Sequence, residues 1–194
     1  MSVTNKFYLN LLYGFLLGKT FILRTKKEIK LVIKIEDKHI SYMKFIHKNF
    51  YNLGLCSQNL PKINTKLVKK GKLRKIMVLH TYNNNDYLNL YNKWYLDKNK
   101  KIIPYDFEFY FNEESLAFWL MTEGSISNKN LYVNIKQFNS TDIKFLKSFL
   151  ENRFKLEKIN LINDLLEFNS DNILKINKII KPYIFPSMQF KFMV

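Results

Sequence analysis

The sequence predicts an α+β protein in two similar halves, each combining helices with antiparallel strands. Three observations carry that reading. Two apolar helical segments, Leu12-Tyr13-Gly14-Phe15-Leu16-Leu17-Gly18-Lys19-Thr20 and Leu116-Ala117-Phe118-Trp119-Leu120-Met121-Thr122-Glu123-Gly124, recur about 104 residues apart. A stretch of alternating apolar and polar residues follows each, the period of a strand with one wet face. An amphipathic helix follows each of those in turn.

In the first half an apolar helix covers Phe7 to Leu17, and Ile29-Lys30-Leu31-Val32-Ile33-Lys34-Ile35 alternates as a strand with Lys30 and Lys34 on its wet face. Ile40, Met43, Ile46 and Phe50 fall at helical spacing. Ile63 to Val68 turns through Lys69-Lys70-Gly71-Lys72 into a strand from Leu73 to Thr81, and a helix near Asn84 to Leu96 closes the half. In the second half the helix ending at Glu123 precedes a strand from Leu131 to Gln137. Asn139-Ser140-Thr141-Asp142 is a cap signal for a helix carrying Ile143, Leu146, Phe149 and Leu150. A hairpin from Ile159 to Phe168 turns near Asn163-Asp164, and Ile173 to Ile180 is the closing helix. No Gly/Ser-rich linker divides the chain, so residues 1–194 are expected to form one domain, with pseudo-repeats of about 1–98 and 99–194.

Charge narrows the function. The chain holds 32 basic and 16 acidic residues, a net +16, as expected of a protein seated on a polyanion. Only Arg24, Arg74 and Arg153 are arginines. Lysine is a point charge rather than a bidentate fork, which suits phosphate contact better than base reading. The candidate nucleic-acid contacts are Lys30 and Lys34, the hairpin residues Lys66, Lys69, Lys70, Lys72, Arg74 and Lys75, and Lys136 of the second-half strand. The single Cys56 excludes an internal disulfide and reads as a core thiol. His39, His47 and His80 lack partners at metal-ligand spacing. No uninterrupted apolar stretch is long enough for a membrane span. Usage is skewed to Lys, Asn, Ile, Phe, Tyr and Leu, with one alanine, as an AT-rich organellar genome would encode. Residues 1–6 lack the Arg- and Ser-rich character of a transit peptide. The expected location is therefore the mitochondrion, with the chain encoded there.

The two apolar helices carry the chemistry. A helix that packs closely on a pseudo-symmetric copy needs small residues at the contact. Gly14 and Gly18 supply them on the first, and Ala117 and Gly124 on the second. Two-metal phosphodiester chemistry draws carboxylates from both sides of such a pair. Glu123 ends the second helix, whereas Lys19 occupies the corresponding position of the first.

These residues resemble the LAGLIDADG homing endonucleases in their two-motif, single-chain organellar form. The resemblance extends through Trp94-Tyr95, Lys98 to Pro104 and Lys181 to Lys191, and so covers nearly the whole chain. It implies the LAGLIDADG endonuclease fold, an αββαββα order twice over, with two antiparallel sheets forming a saddle for nucleic acid. It also implies that Glu123 is the metal-binding acid of the second motif and that Lys101 and Lys191 are the lysines beside the metals, with Lys100 a rival to Lys101. Lys19 and Thr20 depart from the acid-glycine pair of the first motif, which argues against double-strand cleavage.

Two classes of function are then open. An active endonuclease or nickase would use Mg2+ at Glu123. A cleavage-dead binding protein on the same scaffold would need no cofactor and would bind structured organellar RNA in preference to duplex DNA. That RNA would be ribosomal, with neighbouring ribosomal proteins as further partners, or intron RNA, as for a maturase. The second class is the expectation taken forward.

Overall fold

The first helix, α1 (Lys6–Leu17), has Leu11, Leu12, Tyr13, Phe15, Leu16 and Leu17 all buried, so it is apolar around most of its circumference and belongs inside a core. The computed structural model describes residues 6–67, 73–97 and 100–192. They divide into two compact units: Lys19–Asn89 is one, and α1 joins the residues from Leu90 onward in the other.

In the first unit β1 (Phe21–Arg24), β2 (Ile29–Glu36), β3 (Ile63–Leu67) and β4 (Leu73–His80) form an antiparallel sheet in the order β1-β2-β4-β3. A short 3-10 turn, Asp37–His39, leads into α2 (Ile40–Asn52), whose Met43, Ile46 and Phe50 are buried as their spacing predicts, while Ile40 at its first position is exposed. The closing helix α3 (Asp86–Trp94) is shorter than the expected Asn84–Leu96, because Tyr95 and Leu96 enter a small strand pair, β5 (Tyr95–Asp97) with β6 (Lys100–Lys101).

The second unit repeats the order. After α4 (Phe107–Tyr110), α5 (Glu113–Glu123) carries the second apolar motif. The strands β7 (Ser125–Ser127), β8 (Asn130–Asn134), β9 (Asn160–Ile162) and β10 (Leu165–Phe168) pair antiparallel in the order β7-β8-β10-β9, the same topology as the first sheet. Between and after them run α6 (Ser140–Phe154) and α7 (Ser170–Ile180). The expected cap is present, Asn139 Oδ1 accepting from Asp142 N at 2.8 Å. A capping box starts α5, where Asn112 and Ser115 exchange side chain-to-backbone bonds at 3.0 and 3.2 Å.

The elements follow the expected αββαββα order in both halves, with two strands the periodicity does not show. β1 is four residues long and β7 three, too short for alternation to register. β7 turns into β8 through Asn128 and Lys129, both at positive φ, the two-residue geometry that matches strand twist. The hairpin at Asn163 also turns through a left-handed residue, as placed from sequence.

The second-half strand stops at Asn134 rather than Gln137. Asn134 Oδ1 accepts from Lys136 N at 3.2 Å, a local turn that takes Lys136 off the strand face into an exposed loop. The expected turn residues Lys69, Lys70 and Lys72 lie outside the described residues.

Candidate nucleic-acid interface and motif-helix site

The two motif helices α1 and α5 lie in the same unit and pack along each other. Their contact is as close as the glycines predict. A Cβ on Gly14 would stand 2.4 Å from the Ser115 carbonyl oxygen, and one on Gly18 would stand 2.8 Å from the Glu123 side chain. Ala117 of α5 is fully buried, and a Cβ on Gly124 would stand 2.6 Å from the Leu120 carbonyl oxygen of its own helix. Ser115 adds a polar tie, its hydroxyl donating to the Asn10 carbonyl at 2.7 Å. Gly18 thus brings the end of α1 against the Glu123 carboxylate, and Lys19 follows it directly, exposed.

Each motif helix is finished by a lysine. Lys101 Nζ donates to the carbonyls of Leu16 at 2.7 Å and Gly18 at 2.8 Å, at the end of α1. Lys191 Nζ donates to the Met121 carbonyl at 2.6 Å, near the end of α5. Gln137 Nε2 covers the remaining Leu17 carbonyl at 2.7 Å. A helix C-terminus leaves carbonyls without intrahelical partners and carries partial negative charge, so a lysine there satisfies both. Of the two candidate lysines, Lys101 is buried against the helix end and Lys100 is exposed. Burial pushes the Lys101 amine down to about 7, against the opposing pull of the Glu123 carboxylate. A third anchor fixes the loop after Pro104: Tyr13 of α1 donates to Asp106 at 2.6 Å, and Lys93 also bonds that carboxylate. Burial and then Asp106 hold the Tyr13 hydroxyl well above its usual range.

The donors at the helix ends set what a metal could find there. Two metals need carboxylates from both helices, and the helix ends offer Glu123 alone, while the carbonyls nearby accept from Lys101, Gln137 and Lys191. Among the described residues no group of three His, Cys, Asp or Glu side chains stands together as a metal would require.

The basic residues sort by strand register. Lys30 and Lys34 of β2 share a face with Arg74, Ile76, Val78 and His80 of β4. Val32 lies on that face between the lysines yet is only 1% exposed, so the wet face has an apolar centre. Lys34 Nζ sits 4.5 Å from the Phe21 ring centroid. Lys66 pairs with Arg74 in the register, whereas Lys75 falls on the opposite, Met77 side of the sheet. Two of the expected contacts already have carboxylate partners: Lys30 lies 2.8 Å from Glu28, and Arg74 Nε donates to Glu36 at 3.0 Å. The Arg74 hydrogen bond holds Glu36 down to about 2. Sequence reasoning misses His80 as a member of this face; burial and then Lys30 lower its pKa, so it is neutral at pH 7.

Paired motif helices with close glycine contacts, each followed by a four-stranded sheet of the same topology, define a LAGLIDADG-type scaffold. A profile of the LAGLIDADG DNA endonuclease family matches residues 9–161, and the chain belongs to that family. It is 30% identical to the cytochrome b mRNA maturase bI2 of Debaryomyces hansenii, over 96% of this chain and 74% of the relative. It is 31% identical to the protein of the same name in Saccharomyces cerevisiae, over 94% of this chain and 46% of the relative, so it spans less than half of the latter. Its fold superposes on that of the homing endonuclease I-WcaI bound to its DNA recognition sequence with a TM-score of 0.84, at 22% identity, covering 100% of this chain and 88% of that one.

Proposed function

We propose that this chain binds structured nucleic acid, intron RNA in preference to duplex DNA, and makes no double-strand break. The observation that carries the reading is the charge at the paired helix ends: Glu123 supplies one carboxylate, and Lys19 stands in sequence where the first helix would supply another. An ammonium there removes a ligand and repels a divalent cation at short range. The basic face of the first sheet, with Lys30 and Lys34 around an apolar centre, supports phosphate contact.

Likeness to two mRNA maturases at 30% and 31% identity supports an intron-containing transcript as the partner. Ribosomal RNA and ribosomal proteins gain no comparable support, so intron RNA is the partner carried forward. The mitochondrion as location rests on the AT-type residue usage and on the same two relatives. The whole chain acts as one functional domain of two pseudo-repeats in this reading. A second reading, a metal-dependent nickase, is supported by the retained Glu123 beside Gly18.

The test has two arms. RNA crosslinked to the chain in its native organelle should be enriched in intron sequence; enrichment of ribosomal RNA alone would overturn the intron assignment. The purified chain with magnesium should leave duplex DNA bearing the intron insertion site uncut. A double-strand cut abolished by Glu123→Gln would make the chain a working endonuclease, and a Glu123-dependent nick would make it a nickase.

A further inference from the structure

The two sheets differ in charge. Strands β1 to β4 carry Arg24, Lys30, Lys34, Lys66, Arg74 and Lys75, whereas β7 to β10 carry no lysine or arginine at all. Register places Asn130, Tyr132 and Asn134 of β8, Glu167 of β10 and Asn160 of β9 on one face of the second sheet. Those side chains are half-buried or exposed, while Leu131, Val133, Leu166 and Phe168 fill the other face and are buried.

One carboxylate stands on this amide face, and it is held from three sides. Glu167 Oε1 accepts from Asn130 Nδ2 at 2.9 Å and from the Tyr132 hydroxyl at 2.7 Å, and Oε2 accepts from Asn160 Nδ2 at 3.1 Å. These donors, Tyr132 first, keep its pKa below the usual carboxylate range, so it is ionised at neutral pH. An ionised carboxylate has about four acceptor sites. Three are filled, and the fourth, on Oε2, takes no donor from the described residues. Phosphate is the wrong partner for a face with an anion and no strand cation. The edge of a base is the right one, because phosphate contacts position a nucleic acid while base edges carry its sequence.

Resting on the nucleic-acid reading above, we propose that Glu167 is a specificity-determining residue: its remaining Oε2 site accepts from the exocyclic amino group of an unpaired RNA base and rejects uracil. Cytosine, adenine and guanine each offer an amino hydrogen. Uracil offers two carbonyl oxygens flanking one imino hydrogen, and those oxygens face the carboxylate with like partial charge. Affinity and specificity then divide between the sheets, lysines on the first contacting phosphate and Glu167 on the second reading a base.

The test is selection of a random-sequence RNA pool by the full chain, by Glu167→Gln and by Lys34→Ala. Glutamine keeps the shape but removes the charge, and its amide donates to a uracil carbonyl. RNAs retained by the unaltered chain should show one position depleted of uracil by about tenfold or more, the size of one charge-assisted hydrogen bond. In Glu167→Gln that depletion should fall below about threefold, whereas Lys34→Ala should lower retention and leave the depletion intact. Tyr132→Phe removes one of the three donors and should weaken the depletion part of the way. An unchanged motif in Glu167→Gln overturns the proposal alone. Failure of the unaltered chain to retain any RNA leaves no motif to compare, and overturns the nucleic-acid reading together with it.

Discussion

Replacing Lys101 by methionine should change how stability depends on pH, in a direction and amount the site fixes. The lysine is buried, and its amine is pushed down to about 7. In the unfolded chain the same group titrates near its reference value of about 10.4. Its folded pKa is therefore depressed. The stabilising contribution is complete above the unfolded value, is lost as pH falls from there through about 7, and levels off once the folded amine is protonated too. Between pH 7 and 9 the unfolded chain holds nearly one proton more than the folded one, and each full proton per pH unit is worth about 1.4 kcal/mol. Allowing for half-titration at the lower limit, unaltered protein should gain roughly 2 kcal/mol over Lys101→Met across that interval. The variant also leaves the Leu16 and Gly18 carbonyls without their donor, a loss of roughly 1–3 kcal/mol that does not vary with pH. Urea unfolding of both proteins at half-unit steps from pH 6 to 9 separates the two parts. A stability difference that stays flat to within about 0.5 kcal/mol across the interval would refute the argument, and would mean that Glu123 and the helix end keep the ammonium charged throughout.

The remaining predictions concern packing and binding. Gly14→Ala drives a methyl into the Ser115 backbone at 2.4 Å, so the helices must part; a cost of roughly 2–3 kcal/mol and a melting midpoint lower by about 5–10 °C are expected, and a shift under about 1 °C would refute the close approach. Gly54→Ala makes a useful contrast: nothing stands within 4 Å of its Cβ and only its φ of +70° opposes the change, so the loss should be nearer 1 kcal/mol, about what backbone strain alone costs. Lys30→Ala with Lys34→Ala should lower the slope of RNA affinity against salt by roughly 0.7–0.9 for each phosphate these lysines neutralise, and an unchanged slope would show that the first sheet only faces solvent.

Much of the fold is legible in the sequence because its signals are long. The motif helices, α2, α6 and α7 each present apolar residues over three or more turns, and Asn139 announces the start of α6. β1 and β7 are not legible, because three or four residues cannot display a period and Asn128-Lys129 lacks the glycine that marks a tight hairpin. The end of β8 departs from its expected place for a local reason: Asn134 bonds its own backbone two residues on and stops the alternation before Lys136. In the site, the close contact at Gly14 and Gly18 follows from their spacing. The burial of Lys101 is hidden in the run Lys98-Asn99-Lys100-Lys101, which looks like a solvated loop, since the carbonyls that draw it inward come from a helix about 85 residues earlier. The lack of strand cations on the second sheet is readable in the scarcity of lysine from Ser125 to Asn134, where Lys129 alone occurs and sits in the turn, but the grip on Glu167 requires the register.

The survival of residues at a family's catalytic positions is weak testimony to catalysis when those residues also hold the fold. Lys101 and Lys191 each finish a motif helix by donating to carbonyls near its end, and removing either would take that donor from them. Gly14 and Gly18 are imposed by the approach of the helices. All four would be retained by a chain that only binds, because an interface built on these helices needs them to stand where they are. Position 19 is different: it is exposed at the end of the first motif, outside the close packing that fixes the glycines. The charge there follows the chemistry rather than the core, and in this chain it is positive. Changing Lys19→Asp with Thr20→Gly therefore poses the catalytic question, and Lys19→Asp alone controls for packing because Thr20 is buried. If magnesium then raises the melting midpoint of the double variant and leaves the unaltered chain unmoved, the scaffold has kept a metal site's geometry while losing its ligands. If neither responds, Lys101 and Lys191 stand as helix caps alone, and their presence says nothing about cleavage.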